Sequence, residues 1–381
     1  MTPHAHIPEP VMVTAREHLE EIAAELKDAP RLALDIESNG FYAYREKVCL
    51  LQASSPTMDY IIDPIAVTDL SSLAPLMEDP GIEKIFHAGE YDVLCLKRDH
   101  GFRFANLFDT MIANRLLGVK ELGLAAAIER HFSVKLSKKL QRADWGRRPL
   151  SQEQVRYAQL DTHYLMRLAD ILHEELRRKG RLEDAADAFA ELSAIEPASK
   201  AFDPEGFWRL TGNQKLTGLQ MACLKEIYHF REEQARSRDR AHFRIMADEL
   251  MVRVAHDLPE DHAALSRIKG MSPYLLERYG RALLNAVARG REALPLAEHH
   301  RPRKPRRDAR EHKLFEALRQ WRKVQAEGEG VEPVVILSSE VLKTIAHHAV
   351  ENHGDPLREL TPLKKSRYGE SLLKVIKSQA H

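Results

Sequence analysis

Cysteine is scarce in this chain. Only Cys49, Cys95 and Cys223 occur, far apart and with no CxxC pair. That excludes a disulfide framework and a thiolate zinc site, and it fits a reducing cytoplasm. Missing too is any apolar run approaching the roughly 20 residues that span a bilayer. Met1 to Pro10 has no basic segment followed by an apolar one, so no secretory leader is expected. No GxxxxGK[ST] phosphate loop is present, and no nucleotide cofactor is expected. An excess of one charge is also lacking, since Lys+Arg and Asp+Glu both number 57. This balance leaves nucleic acid open as a partner, because an acidic pocket in one domain and basic surfaces elsewhere would cancel.

What is there is ordinary soluble composition, 44% hydrophobic and 30% charged, in a chain too long for one core. Two or three domains are expected. The first half alternates strand and helix signals. Arg31–Ser38, Val48–Ala53, Tyr60–Asp63 and Ile82–His87 read as strands. Leu70–Glu78, a stretch beginning at Tyr91, another after Asp109-Thr110, and Ser151–Lys179 read as helical. Strands preceding helices indicate an α/β domain around a mixed sheet.

Beyond about Phe202 the strand signals fade. CLKEIYHFREEQA at Cys223–Ala235 parallels LFEALRQWRKVQA at Leu314–Ala326. Each is followed by a short helix signal, a Leu-rich turn and a final helix, so two copies of one small all-α domain are expected. Between them, Pro295–Arg310 carries prolines and a basic cluster and reads as a linker.

Five residues carry chemistry. Leu32, Leu34 and Ile36 share one face of the first strand, so Asp35 and Glu37 project together from the other. Two carboxylates that close repel unless a cation lies between them, although such a pair is more often a solvated strand face. Ser151 and Gln154 form a capping box, which starts a helix. Tyr157 and Asp161 then fall at i and i+4, about 6 Å apart at Cβ. Alone, that pair reads as a surface hydrogen bond. In His87-Ala-Gly-Glu-Tyr-Asp92, a strand meets a helix and Asp92 lies in the first turn, where helix electrostatics alone would favour it. His87 reads as a structural strand-end histidine, and Asp109 as a helix cap.

Taken in order, Asp35/Glu37, Asp92 and Tyr157/Asp161 resemble the DEDD exonuclease superfamily in its tyrosine subtype. LALDIESNGFY, KIFHAGEYDVLCL, LFDTMIANRLLG and ADWGRRPLSQEQVRYAQLDTHYL resemble the bacterial ribonuclease D branch, and the two helical repeats resemble its HRDC domains (helicase and ribonuclease D C-terminal). The resemblance implies a ribonuclease H-like mixed sheet with flanking helices over 1–200. It implies HRDC domains over 205–293 and 311–381, joined by a linker at 294–310.

By the same resemblance, the activity is 3′→5′ exoribonucleolytic hydrolysis releasing nucleoside 5′-monophosphates, with transfer RNA precursors as substrates. Two divalent ions, Mg²⁺ or Mn²⁺, would be held by Asp35, Glu37, Asp92 and Asp161, with Tyr157 orienting the attacking water. Two alternatives stay open: a DNA 3′→5′ exonuclease of the same fold, and a non-catalytic RNA-binding adaptor.

Phe41, Tyr42 and Tyr44, interleaved with Arg45 and Lys47, are candidates for stacking on nucleobases. His87, Arg147 and Arg148 are further candidates for contact with RNA. This aromatic run departs from what the family usually carries after the DxE pair, and the first helical repeat lacks the Pro-Arg-Gly-aromatic wording of such domains.

Overall fold

A computed structural model describes residues 7–198, 201–212, 215–296, 309–351 and 354–379. The chain divides into two units. One comprises Met1–Glu37, Val48–Pro197 and Lys304–His381; the other comprises Ser38–Lys47 and Ala198–Arg303.

The first unit is organised by the strand that carries the DxE pair. β1 (Val11–Val13), β2 (Arg31–Ser38), β3 (Val48–Ser54), β4 (Asp59–Ile62), β5 (Glu83–Phe86) and β6 (Leu107–Asp109) form one sheet in the order β1-β4-β3-β2-β5-β6. β1 runs parallel to β4, β2 to β5 and β5 to β6, whereas β3 and β4 are antiparallel. The sheet is therefore mixed, as the strand and helix signals predict. β1 and β6 were not expected as strands; three residues are too few to show a period of two. All seven residues of β3 are buried, because both faces of the sheet are covered. The large core, with Leu32, Leu34, Leu51 and Ile85, lies on one side. A smaller cluster of Cys49, Leu50, Ile61, Trp145 and Ala158 lies on the other.

Among the described residues, eight helices accompany this sheet: α1 (Arg16–Glu25), α2 (Ala74–Glu78), α3 (Glu90–His100), α4 (Thr110–Leu116), α5 (Leu124–Phe132), α6 (Gln152–His163), α7 (Leu165–Arg178) and α8 (Leu182–Ala194). The helical pattern over Ser151–Lys179 is thus two helices, with Tyr164 closing the first at φ −95° and ψ −9°.

In the second unit, α9 (Gly218–Ser237), α10 (His242–Ile245), α11 (Asp248–Asp257), α12 (His262–Ser266) and α13 (Pro273–Glu292) surround Leu224, Ile227, Met251 and Leu283. The second helical repeat lies in the first unit: α14 (Ala309–Glu329), α15 (Pro333–Ile336), α16 (Ser339–Glu351) and α17 (Pro362–Gln379), around Leu318, Leu342, Ile345 and Leu372. It is tied to α8 by charge. Arg181 donates to Glu329 at 2.6 Å, Lys364 to Glu191 at 2.6 Å, and the Thr361 hydroxyl to Asp187 at 2.7 Å. The basic cluster read as a linker falls mostly at 297–308, outside the described residues.

Candidate active site

Local geometry brings Asp35, Glu37 and Asp161 together and sets Asp92 and Tyr157 within their electrostatic reach. On β2 the pattern leaves Asp35 and Glu37 less buried than Leu34 and Ile36 between them, and so pointing away from the large core. α6 begins at the expected capping box: the Ser151 hydroxyl accepts from the Gln154 backbone N–H, and the Gln154 side chain accepts from that of Ser151.

The helix is then locked from behind. At 100° per residue, Gln159 and His163 face roughly opposite to Tyr157 and Asp161. The buried Asp59 carboxylate accepts from Gln159 Nε2 at 2.7 Å and pairs with His163 Nδ1 at 2.8 Å. Ser54 adds a hydroxyl donated to Asp59 at 2.6 Å and a contact to Thr162 Oγ1 at 2.8 Å. Sequence reasoning missed this network, although a buried acid on a strand edge with Gln, Thr and His on one helix is a readable signal.

Asp92 is placed by a tight strand-to-helix turn. Gly89 caps α3, and a Cβ there would lie 2.5 Å from the Phe86 Cβ. Its N–H donates to Asp109 Oδ2 at 2.7 Å, while Asp109 Oδ1 accepts from Ile112 N–H at 2.8 Å. Asp109 is therefore the cap of α4, as expected, and it also anchors the turn bearing Asp92.

One carboxylate oxygen from each of Asp35, Glu37 and Asp161 lies within 4.8 Å of the others. Asp92, 6% exposed, lies outside that trio but feels Asp35, Asp109 and Asp161 electrostatically. No lysine, arginine or histidine among the described residues pairs with any of the four. The electrostatic consequence is large. Burial pushes the Asp35 carboxyl up to about 7. Burial, then Asp35, Asp161 and Asp92, push Glu37 up to about 10. Asp161 rises through burial and Asp35. The Tyr157 phenol is also raised, first by burial, then by Asp161, Glu37 and Asp35. A crowded, uncompensated, all-oxygen cluster is what a hard divalent cation relieves. Beside it, a cavity of about 170 Å³ is lined by Leu136, Leu140 and Leu160 together with Tyr157 and Asp161.

The residues expected to meet RNA are placed differently from one another. Phe41 is half exposed and Arg147 is exposed. Tyr42 is partly covered, and Tyr44 packs against the apolar core of the second unit. His87 is enclosed, its Nδ1 lies 2.8 Å from Thr110 Oγ1, and burial lowers its pKa to about 4. Arg148 has no N–H to spare. It donates to Asp63 through Nε at 2.5 Å and Nη2 at 2.8 Å, and to the carbonyls of Cys49, Trp145 and Arg147 at 2.8 Å. The expectation of a phosphate contact from Arg148 is corrected to that of a strut, because all five donors are engaged. Trp145, beside it, is buried core.

Comparison with known proteins decides the family. Residues 10–177 match the family described as 3'-5' exonuclease, and residues 220–287 and 311–376 each match the HRDC domain. The ribonuclease D of Gluconacetobacter diazotrophicus is 31% identical over 353 residues, covering 91% of this chain and 88% of that protein. The chain belongs to the ribonuclease D family. It is, by that membership, a hydrolytic 3′→5′ exoribonuclease. The exosome complex component 10 homologue of Caenorhabditis elegans is 31% identical over 309 residues; the chain spans 35% of that relative's length. The catalytic core of RRP6 from Trypanosoma brucei superposes with a TM-score of 0.68 at 31% identity, covering 76% of this chain and 82% of that one. The acidic cluster fits divalent metal. Among the described residues, no helix is long and apolar enough to cross a membrane.

Proposed function

We propose that this chain removes nucleotides one at a time from the 3′ end of RNA by two-metal-ion hydrolysis. Transfer RNA precursors would be its substrates and the cytoplasm its location. The observation that carries the reading is the approach of the Asp35, Glu37 and Asp161 oxygens to within 4.8 Å, with Asp92 and Tyr157 in the same electrostatic field.

Asp35, Glu37 and Asp161 would hold one ion, and Asp35 with Asp92 the other. An all-oxygen donor set suits Mg²⁺ or Mn²⁺. When bound, such ions supply a more acidic water and charge neutralisation at the phosphate and leaving oxygen. The chain's own contribution is positional. β2 presents two carboxylates in one direction, the Asp59 network sets the rotation of α6, and Asp109 sets the turn that carries Asp92. Because its environment raises the Tyr157 pKa, the phenol keeps its proton at neutral pH and can donate a hydrogen bond that orients the water. It is not the base. Attack on the terminal phosphodiester leaves phosphate on the released nucleotide, a nucleoside 5′-monophosphate.

The test is digestion of an end-labelled transfer RNA precursor beside a matched DNA strand, with and without chelator. We expect stepwise shortening of the RNA from its 3′ end, 5′-monophosphate products and complete arrest by chelator, with the RNA still bound. Metal-independent cleavage, or faster hydrolysis of DNA than RNA, would refute the proposal.

A further inference from the structure

The ten-residue segment that follows Glu37 folds with the first helical repeat and not with the sheet: Ser38–Lys47 belongs to the unit of Ala198–Arg303. Its neck is closed by Asn39, whose N–H donates to the Lys47 carbonyl at 3.3 Å and whose Oδ1 accepts the Lys47 N–H at 2.9 Å. Its body is fastened to the end of α9 and to α10. The Tyr44 hydroxyl donates to Glu232, which also pairs with His242 Nε2 at 2.6 Å. The Tyr44 N–H donates to Asp239 at 3.1 Å, and the Ala241 N–H donates to the Tyr42 carbonyl at 3.0 Å.

This arrangement leaves flat groups outward. Phe41 is 50% exposed and Phe243 is 56% exposed. Between them the Arg244 guanidinium lies 3.9 Å from the Tyr42 ring centroid and 5.9 Å from that of Phe243, while its Nε donates to the Phe41 carbonyl. A guanidinium stacked and hydrogen-bonded in this way is a fixed cationic plane, not a mobile charge. Arg45 and Lys47 in the same segment, and Arg238 and Arg240 between α9 and α10, add positive charge nearby in the chain, partly offset by Glu46 and Asp239.

We propose that Phe41, Tyr42, Phe243 and Arg244 form a composite stacking platform for single-stranded RNA, assembled from the segment after the DxE strand and the start of α10. The proposal rests on the chain acting on RNA. Rings and guanidinium planes accept the face of any base, so recognition is independent of sequence. Holding the segment in place before binding removes the cost of ordering it. The platform lengthens the enzyme's grip along the strand, and so it favours long unpaired 3′ tails over very short oligonucleotides.

The experiment uses the full chain. kcat and KM are measured for an unstructured 20-nucleotide RNA and for a trinucleotide, with Phe243→Ala, Arg244→Ala and Phe243→Tyr beside the wild type. Affinity for the 20-nucleotide RNA is read by fluorescence anisotropy in an Asp35→Ala background. We expect the preference for the long RNA over the trinucleotide to fall about tenfold in Phe243→Ala, the loss of one base stack. The loss should be carried by KM, with a parallel drop in affinity and with Phe243→Tyr retaining the wild-type ratio. An unchanged preference in both alanine variants overturns the platform, as does a tyrosine variant as poor as the alanine. The binding arm needs no turnover, so failure of the platform and failure of the nuclease assignment read differently.

Discussion

Glu37→Gln should make the metal-free protein more stable while destroying its activity. Glu37 ionises in the unfolded chain near 4.5, whereas the folded environment pushes it up to about 10. A folded pKa raised in this way contributes stability below the unfolded value and loses it progressively as pH rises toward the folded one. The loss is at most about 1.4 kcal/mol per pH unit. At pH 7 the span above 4.5 sets a ceiling of about 3.5 kcal/mol, and sharing of charge among four carboxylates brings the expected cost to about 2 kcal/mol. The glutamine keeps the shape and removes that cost. Thermal unfolding in chelator should therefore show the variant melting about 5 °C above wild type at pH 7.5. The gap should narrow as pH falls toward 4.5, and close below it, where the wild-type carboxyl becomes protonated in the unfolded chain as well as in the folded one. Millimolar Mg²⁺ or Mn²⁺ should raise the wild-type melting temperature more than that of the variant. If the gap failed to grow between pH 5 and 8, or if the variant melted lower throughout, the picture of an uncompensated carboxylate cluster would be wrong.

Further tests address the supports of the site. Arg148→Ala strands the buried Asp63 carboxylate; burial alone would push that carboxyl up, but the Arg148 hydrogen bonds and charge hold it below the usual range. The loss should be about 3–5 kcal/mol in urea unfolding, and a change under about 1 kcal/mol would show that the strut is dispensable. Tyr157→Phe should lower kcat about a hundredfold or more with an unaltered circular dichroism spectrum; an unchanged kcat would remove the phenol from the mechanism. Asp109→Ala removes the acceptor of two backbone N–H groups. It should cost about 1 kcal/mol as a lost cap and also weaken Mn²⁺ binding through Asp92, which titration calorimetry would detect; intact metal affinity would leave it a cap alone.

Much of this protein was legible in its residues, because the informative relations are short-range. The alternation of Leu32, Leu34 and Ile36 with Asp35 and Glu37 is a property of any extended backbone, so it placed both acids on one side of a strand. Ser151 and Gln154, three residues apart, marked the start of a helix and thereby the common face of Tyr157 and Asp161. The doubling of the small helical domain was visible because each copy buries the same face with the same spacing. The three-residue strands β1 and β6 were not legible, since hydrogen bonds to β4 and β5, rather than any pattern of their own, make them strands.

The tertiary structure alone decided matters that depend on which distant groups meet. Arg148 reads as a phosphate ligand until Asp63, 85 residues earlier, takes its guanidinium. Phe41, Tyr42 and Tyr44 read as one aromatic run beside the DxE pair, yet Tyr44 is committed to Glu232, 188 residues later, and Phe41 remains half exposed. Four carboxylates scattered from 35 to 161 become a charged cluster with shifted proton affinities only when the sheet and α6 bring them together out of water. Backbone periodicity is set by a few bonds and is written locally. Burial and charge pairing are set by chain closure over a hundred residues or more, and no local pattern contains them.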